Sequence, residues 1–325
     1  MLRRLGTIFG YLALACCAHC TQPASAQDVT WPRQISLVVP FLPGASNDTF
    51  ARILAQKLAP KLGTTIVIDN KPGAGGAIGA AYVAKSAPNG SVLMLTSSTF
   101  TGNAAIQPKL PFDPIASFVP VAQLAKGPMI LAVGPNSPFR STAALLAAAR
   151  AEKGKLNFGS SGIGSVNQMA TELLNSMARV EMTHVPYRGL ANALTELMGG
   201  QIQVVIASFP SILGLLQAGQ VRGLAVTSAE RSTFAPELPP IAETVPGYVA
   251  ELWWGIFAPA GMPSAMVAHL NAEIGAIITE PEMRERFAQE GALPSPIAAD
   301  QFADIVRSDL AMWRKVAKER NINAD

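Results

Sequence analysis

The chain has 325 residues, long enough for two domains of ordinary size, and only 14% of them are charged. With its Ala, Gly, Pro and aliphatic content, that excludes a disordered polymer and suits an alternating α/β protein with much buried surface. Lysine and arginine number 25 against 22 acidic residues, a balance that gives no electrostatic case for nucleic acid or an anionic membrane as partner.

Arg3 and Arg4 precede an apolar run from Leu5 to Ala18 and then Ala24-Ser25-Ala26, the three parts of a secretory signal peptide. Cleavage is expected after Ala26, which makes residues 1–26 a signal and the mature product periplasmic. The apolar run is short for a membrane span. Arg3-Arg4 resembles a twin-arginine pair only weakly. Cys16, Cys17 and Cys20 all lie inside the segment, without a convincing lipoprotein context, although Cys20 leaves that reading open. The mature chain is therefore expected to carry no disulfide and no thiol chemistry. Losing Arg3 and Arg4 leaves 23 basic residues against 22 acidic ones, a net charge of about +1.

Ile35–Val39 is a short apolar, β-branched run that reads as a buried strand. Pro43-Gly44 is a turn, and Ser46, Asn47 and Asp48 are three good N-cap types in a row before Phe50, Ile53, Leu54 and Leu58 at helical spacing. Such a strand, tight loop and helix start aims unpaired N–H groups and the positive end of a helix at whatever sits above the strand, a ready anion site. Gly44 permits close backbone approach. Asp48 is a poor neighbour for a bare anion and is expected to cap the helix or to take a ligand donor or water. The same residues equally suit an ordinary βα turn.

Thr64–Asp69 is a second strand, followed by the glycine-rich Asn70-Lys71-Pro72-Gly73-Ala74-Gly75-Gly76-Ala77-Ile78-Gly79. Its spacing fits neither a P-loop nor a dinucleotide fingerprint, which favours a loop where backbone packs closely on backbone. Val92–Thr96 is a third strand, ending in Ser97–Asn103, read as a polar loop at a strand's carboxyl end, where open α/β sheets bind ligands. Val119–Leu124 and Met129–Val133, around Gly127-Pro128, read as strands crossing into a second domain. Leu156–Ser160 then leads through Ser161-Gly162-Ile163-Gly164-Ser165 into a helix, mirroring the first mouth. Strand Gln203–Ala207 ends at Ser208. Trp253–Pro259 reads as the return crossing, and three helices after Ser264 finish the chain. Strands alternating with helices give a mostly parallel sheet in each lobe. The predicted organisation is lobe 1 over 27–125 and 253–325, and lobe 2 over 126–252.

Beyond residue 26 the sequence has two histidines, His184 and His269, far apart and without metal-ligand spacing, so no metal or cofactor is expected. His269 reads as an exposed helix residue and His184 as a satisfied core histidine. Gly159-Ser160-Ser161-Gly162-Ile163 is not a G-x-S-x-G nucleophile elbow, which disfavours a hydrolase. The loops instead offer Ser, Thr, Asn, Gly and backbone N–H, groups that bind carboxylates without reacting with them.

The order of motifs from about Trp31 to the C-terminus resembles the periplasmic solute-binding proteins of tripartite tricarboxylate transporters, the Bug-type receptors. It rests on Pro43-Gly44 with Asp48 and Ala51-Arg52, Asn70–Gly76, Leu110-Pro111-Phe112-Asp113-Pro114, Gly162–Ser165, Val185-Pro186-Tyr187-Arg188-Gly189, Leu224–Thr227 and Trp254-Gly255 through Ala258–Gly261. The resemblance implies a type II periplasmic-binding-protein fold, two α/β lobes closing on a small carboxylate, monomeric, with a membrane permease as partner and no catalysis. A sensor-feeding receptor and an exported α/β enzyme acting on a carboxylate are the alternatives.

The same resemblance implies that Pro43, Gly44, Ala45, Ser46, Asn47 and Asp48 hold one carboxylate, partly through water, with Thr99, Phe100, Thr101 and Asn103 adding contacts from that lobe. Ser160, Ser161, Gly164, Ser165 and Gln168 would close from the other lobe, with Ala207 and Ser208 nearby. The family often has glycine where this chain has Ala45, histidine at Phe100 and at Gln168, and aspartate at Ala207. These departures make the pocket less polar, so the expected ligand has an apolar or aromatic body, on which Phe100 would stack, and a carboxylate at one end.

Overall fold

The computed structural model describes residues 29–323; the expected signal peptide and its cysteines lie outside them. The chain runs β1 (Gln34–Val39), α1 (Ser46–Leu62), β2 (Thr65–Asn70), α2 (Ala77–Ala84), β3 (Val92–Ser97), α3 (Thr99–Ile106) and β4 (Phe118–Val133). It continues through α4 (Thr142–Ala151), β5 (Asn157–Ser160), α5 (Val166–Ala178), β6 (Thr183–Pro186), α6 (Leu190–Met198), β7 (Val204–Ser208), α7 (Phe209–Gln217) and β8 (Arg222–Val226). It ends with β9 (Glu251–Pro259), α8 (Ser264–Ile278), α9 (Pro281–Gln289), β10 (Leu293–Pro294) and α10 (Ala299–Glu319).

These elements form two lobes around one long strand. The expected pair of strands around Gly127-Pro128 is a single strand, β4. Its first stretch pairs antiparallel with β9, from Phe118↔Pro259 to Pro128↔Glu251. Its second stretch, from Met129, changes partners to β7 and β8. Register shifts near Pro120 and Gln123 bend it on the way. The parallel pairing read from the βα alternation is present in β2-β1-β3 and in β6-β5-β7. Each sheet is nevertheless mixed rather than mostly parallel, because the crossing strands return against their neighbours: β9 runs antiparallel to β3 and β4, and β4 runs antiparallel to β7. Parallel neighbours need a helical crossover, and the two crossings between lobes have none.

Each sheet is covered on both faces, and so its inner strands are apolar on both sides: every residue of β3 is buried. On one face Phe50 of α1 meets Trp254 of β9 and Phe287 of α9 edge-on, at 5.3 and 4.9 Å between centroids. On the other, Phe302 and Val306 of α10 pack with Met94, Trp253 and Phe257. The helix α10 then runs on to the other lobe, where Arg320 donates to Glu172 of α5 at 2.7 Å and Ser176 donates to Glu319 at 2.6 Å. Among the described residues no helix is long and apolar enough to cross a membrane.

Candidate functional site

The β1–α1 loop is built around Asp48. Its buried carboxylate accepts from Arg52 twice, Nε at 2.9 Å and Nη2 at 3.0 Å, from the Gly44 N–H at 3.1 Å and from Asn70 Nδ2 at 3.0 Å. Asn70 Nδ2 also lies 3.2 Å from the carbonyl of Phe41. The Arg52 guanidinium foremost, with the Gly44 and Asn70 donors, holds the Asp48 carboxyl at about 2 against the opposing effect of burial. The carboxylate's acceptor positions are taken up inside the protein. Asp48 therefore braces the loop and does not cap α1, one of the roles the sequence had suggested. Gly44 has φ +91° and open space around it, so the turn needs glycine for its backbone and not for packing.

With Asp48 turned to the loop, the N-cap of α1 is Ala45, which has no side chain to satisfy the helix start. Thr49 N–H is the first to reach a helical acceptor, the Ala45 carbonyl at 3.0 Å. The N–H groups of Ser46, Asn47 and Asp48 have no backbone acceptor among the described residues, at the positive end of a 17-residue helix. Ser46 Oγ is fixed by Trp254 Nε1 at 3.2 Å. Asn47 Oδ1 and Ser98 Oγ are buried without a protein partner, each at the carboxyl end of a β1 or β3 unit, which marks places where a bound polar group belongs.

Residues 99–103 form the first turns of α3, not a loop. Thr101 Oγ1 lies 2.8 Å from the Ser98 carbonyl and 2.5 Å from Asp309 Oδ2 on α10. Phe100 is 6% exposed and packs with Phe112, Phe118 and Phe257, so the stacking surface expected for a ligand is part of the core. Thr101 is likewise inward, whereas Thr99 is half-buried. Asn103 Nδ2 donates to the Gly75 carbonyl at 2.7 Å and ties α3 to the glycine-rich loop. That loop is a backbone-packing device: a Cβ on Gly79 would lie 2.9 Å from the Lys71 carbonyl oxygen.

The second mouth is organised by His184 of β6. Its Nε2 lies 2.6 Å from Ser160 Oγ and its Nδ1 lies 3.1 Å from Gln168 Nε2. The Gly164 N–H donates to Gln168 Oε1 at 2.7 Å, so the Gln168 amide presents its NH2 to the ring. Nδ1 then accepts and Nε2 carries the proton, which Ser160 Oγ receives. The Ser160 hydroxyl in turn donates to the Gly162 carbonyl at 3.1 Å and accepts from the Gly162 N–H at 3.1 Å. Burial pushes His184 down to about 4, so the ring is neutral. This is the satisfied histidine expected from the sequence, with partners the sequence did not reveal. His269, by contrast, is not a free surface residue: Trp31 Nε1 donates to its Nδ1 at 3.3 Å.

Nearby, Ser161 Oγ donates to Asn167 at 2.9 Å, Ser165 Oγ caps α5 through the Gln168 N–H, and Ser208 Oγ pairs with Ser211 Oγ at 2.9 Å. Ala207 is buried in the apolar layer with Ile130 and Phe209. The two mouths meet at Gly164. A Cβ on Gly164, whose φ is +75°, would lie 2.2 Å from Ile106 Cδ1 and 3.2 Å from Asn103 Oδ1 of α3. Cavities beside α7 and under residues 134–139, of about 500 and 560 Å³, share none of these loop residues.

Two sheets joined by crossing strands, with hydrogen-bonding loops at the strand ends whose one carboxylate, Asp48, is already paired with Arg52, define a two-lobed solute-binding receptor. The chain belongs to the tripartite tricarboxylate transporter family of receptors, whose model matches residues 50–322. It is 38% identical over 316 residues to a UPF0065 protein in the tcbD-tcbE intergenic region of a Pseudomonas strain, covering 97% of this chain and 94% of that one. BugT of Bordetella pertussis is 33% identical, with 98% of both chains covered. The solved structure of Rpa4515 from R. palustris with adipate superposes with a TM-score of 0.75 at 35% identity, covering 90% of this chain and 99% of that one.

Proposed function

We propose that the protein is a periplasmic receptor that holds a small carboxylate with an aliphatic body between its lobes and hands it to the permease of a tripartite tricarboxylate-type transporter. The observation that carries this reading is the uncapped start of α1. Three N–H groups with no backbone acceptor among the described residues sit beside a loop whose own carboxylate, Asp48, is neutralised by Arg52. A carboxylate is the anion such a site takes without a cationic side chain. Rpa4515 of R. palustris was solved with adipate, a linear dicarboxylate, and this supports an aliphatic body. The inward turn of Phe100 removes the stacking surface that an aromatic body would need. Lobes over 27–125 with 253–325 and over 126–252 accord with the change of β4 partners after Pro128. Ser160 as a nucleophile is opposed by the His184 proton, which sits on the nitrogen facing it.

Thermal unfolding of the mature chain, refolded from denaturant to strip carried-over ligand, tests the reading against a panel of adipate, malate, citrate, aspartate and benzoate. A ligand at 100 times its dissociation constant adds about 2.7 kcal/mol, a rise of roughly 5–10 °C for a chain of this size. Adipate is expected to shift the midpoint most. A larger shift with benzoate overturns the aliphatic assignment, a larger shift with citrate or aspartate overturns the unsubstituted apolar body, and turnover of any bound ligand overturns the receptor.

A further inference from the structure

The lobe-2 mouth contains a relay that the receptor reading does not itself require. Ser160, His184 and Gln168 come from three elements, β5, β6 and α5, and their bonds end on two backbone amides, Gly162 and Gly164. Gly164 is also the point where this loop meets α3 of the other lobe, against Ile106 and Asn103. We propose that His184 is a positioning residue for lobe closure: as the neutral Nε2–H tautomer it orients Gln168, and Gln168 holds the Gly164 peptide in the conformation that α3 meets across the cleft. The proposal rests on the assignment of 160–165 as a closing loop.

The geometry leaves one arrangement of protons. Gly164 N–H needs the Gln168 carbonyl oxygen, so the amide NH2 faces His184 Nδ1. A second proton on the ring would put an N–H opposite that NH2. Turning the amide to relieve the clash would set its NH2 against the Gly164 N–H. Either way one bond of the relay is lost, and Gly164, at φ +75°, is no longer held. The ring is stacked on Phe158 at 4.9 Å between centroids. Among β5, β6 and α5 the sole charged side chain other than a histidine is Glu172, which is bonded by Arg320 at the far end of α10. Glu319 of α10 meets Ser176, and α3 carries no charge. Among the described residues no carboxylate is placed to draw a second proton onto the ring.

The test uses the mature protein without ligand, then with adipate. Nitrogen-15 NMR of the imidazole is expected to show His184 neutral and protonated at Nε2 from pH 5 to 8. Gln168→Glu offers an acceptor to Nδ1, and is expected to move the proton there or to raise the titration midpoint into the neutral range. Gln168→Met keeps length but removes both bonds, and is expected to raise the hydrogen-exchange rate of the Gly164 amide at least tenfold while the β5 amides stay protected. It is also expected to increase the radius of gyration and to weaken any adipate binding severalfold. A wild-type ring protonated at Nδ1, or Gly164 exchange and radius of gyration both unchanged in Gln168→Met, overturns the proposal. If the tautomer, exchange and scattering results hold but adipate does not bind, the ligand assignment falls and the relay stands.

Discussion

Asp48 shows how one side chain takes a different role from the one its neighbours suggest. In sequence it stands beside Ser46 and Asn47, where an N-cap is the natural reading. In the folded chain Arg52, one turn on, and Asn70, from the next strand, collect its oxygens. Asp48→Ala leaves the Gly44 N–H without an acceptor and the Asn70 amide with the Phe41 carbonyl alone, and is expected to cost about 2 kcal/mol, read as a lowered unfolding midpoint. Arg52 is half exposed, so water limits the part of that loss due to the ion pair. Because the folded carboxyl lies near 2, below its unfolded value of 3.8, its contribution is present above pH 4 and is lost as pH falls from there towards 2. Asp48→Ala is expected to flatten that part of the acid-unfolding profile.

At the scale of the element, α3 is a helix because its contacts are remote. Thr99–Asn103 has the composition of a loop, yet Phe100, Ala104 and Ile106 are buried and Thr101 is bonded to Asp309, which Trp253 of β9 also approaches at 3.1 Å. Burial raises the Asp309 carboxyl to about 6, against the Thr101 and Trp253 donors. A folded value above the unfolded 3.8 means that the native state binds the proton more tightly. Stability on this account is full below about pH 4 and declines as pH rises towards 6 and a little beyond, by roughly 2–3 kcal/mol at most. Asp309→Asn keeps an acceptor for both donors and is expected to remove this decline, so the variant should gain on the wild type between pH 4 and 7 in denaturant unfolding. A constant difference across that range would show that Asp309 does not titrate there. His184 acts in the opposite sense: its folded value near 4 lies below the ordinary 6.5, so its contribution falls as pH drops through that window.

For the whole molecule the decisive features are β4, which belongs to both sheets, and α10, which begins in the core of one lobe and ends on α5 of the other. A hinge closure that repacks the mouths while preserving both connections must pivot about the stretch near Pro128 and Glu251, where β4 changes partners and β9 begins. The far end of α10 is held by the Arg320 bond to Glu172, a carboxylate whose side chain is only 7% exposed. Arg320→Ala leaves that buried charge with Asn175 as its remaining donor and is expected to lower stability by about 2 kcal/mol, measured by denaturant unfolding. Arg320→Lys should recover part of the loss, since it restores the charge without the planar fork.

What the sequence by itself determined is the local grammar: apolar β-branched runs, Pro-Gly turns and amphipathic stretches mark the βα units around β1–α1 and β5–α5, because period and turn chemistry act over a few residues. The motif order from Pro43-Gly44 to Ala258–Gly261 was enough to indicate the receptor family. Only the tertiary structure decided that β4 is continuous, that Phe100 and Thr101 face inward, that Asp48 is a brace and that Ser160, His184 and Gln168 form one relay. Arg52 lies only one turn from Asp48, but the others depend chiefly on distant partners, such as His184 for Gln168, 16 residues on, and Asp309 for Thr101, 208 residues on. Periodicity carries no information at that separation, and burial, which sets both the inward turn of Phe100 and the neutral state of His184, exists only once the lobes are packed.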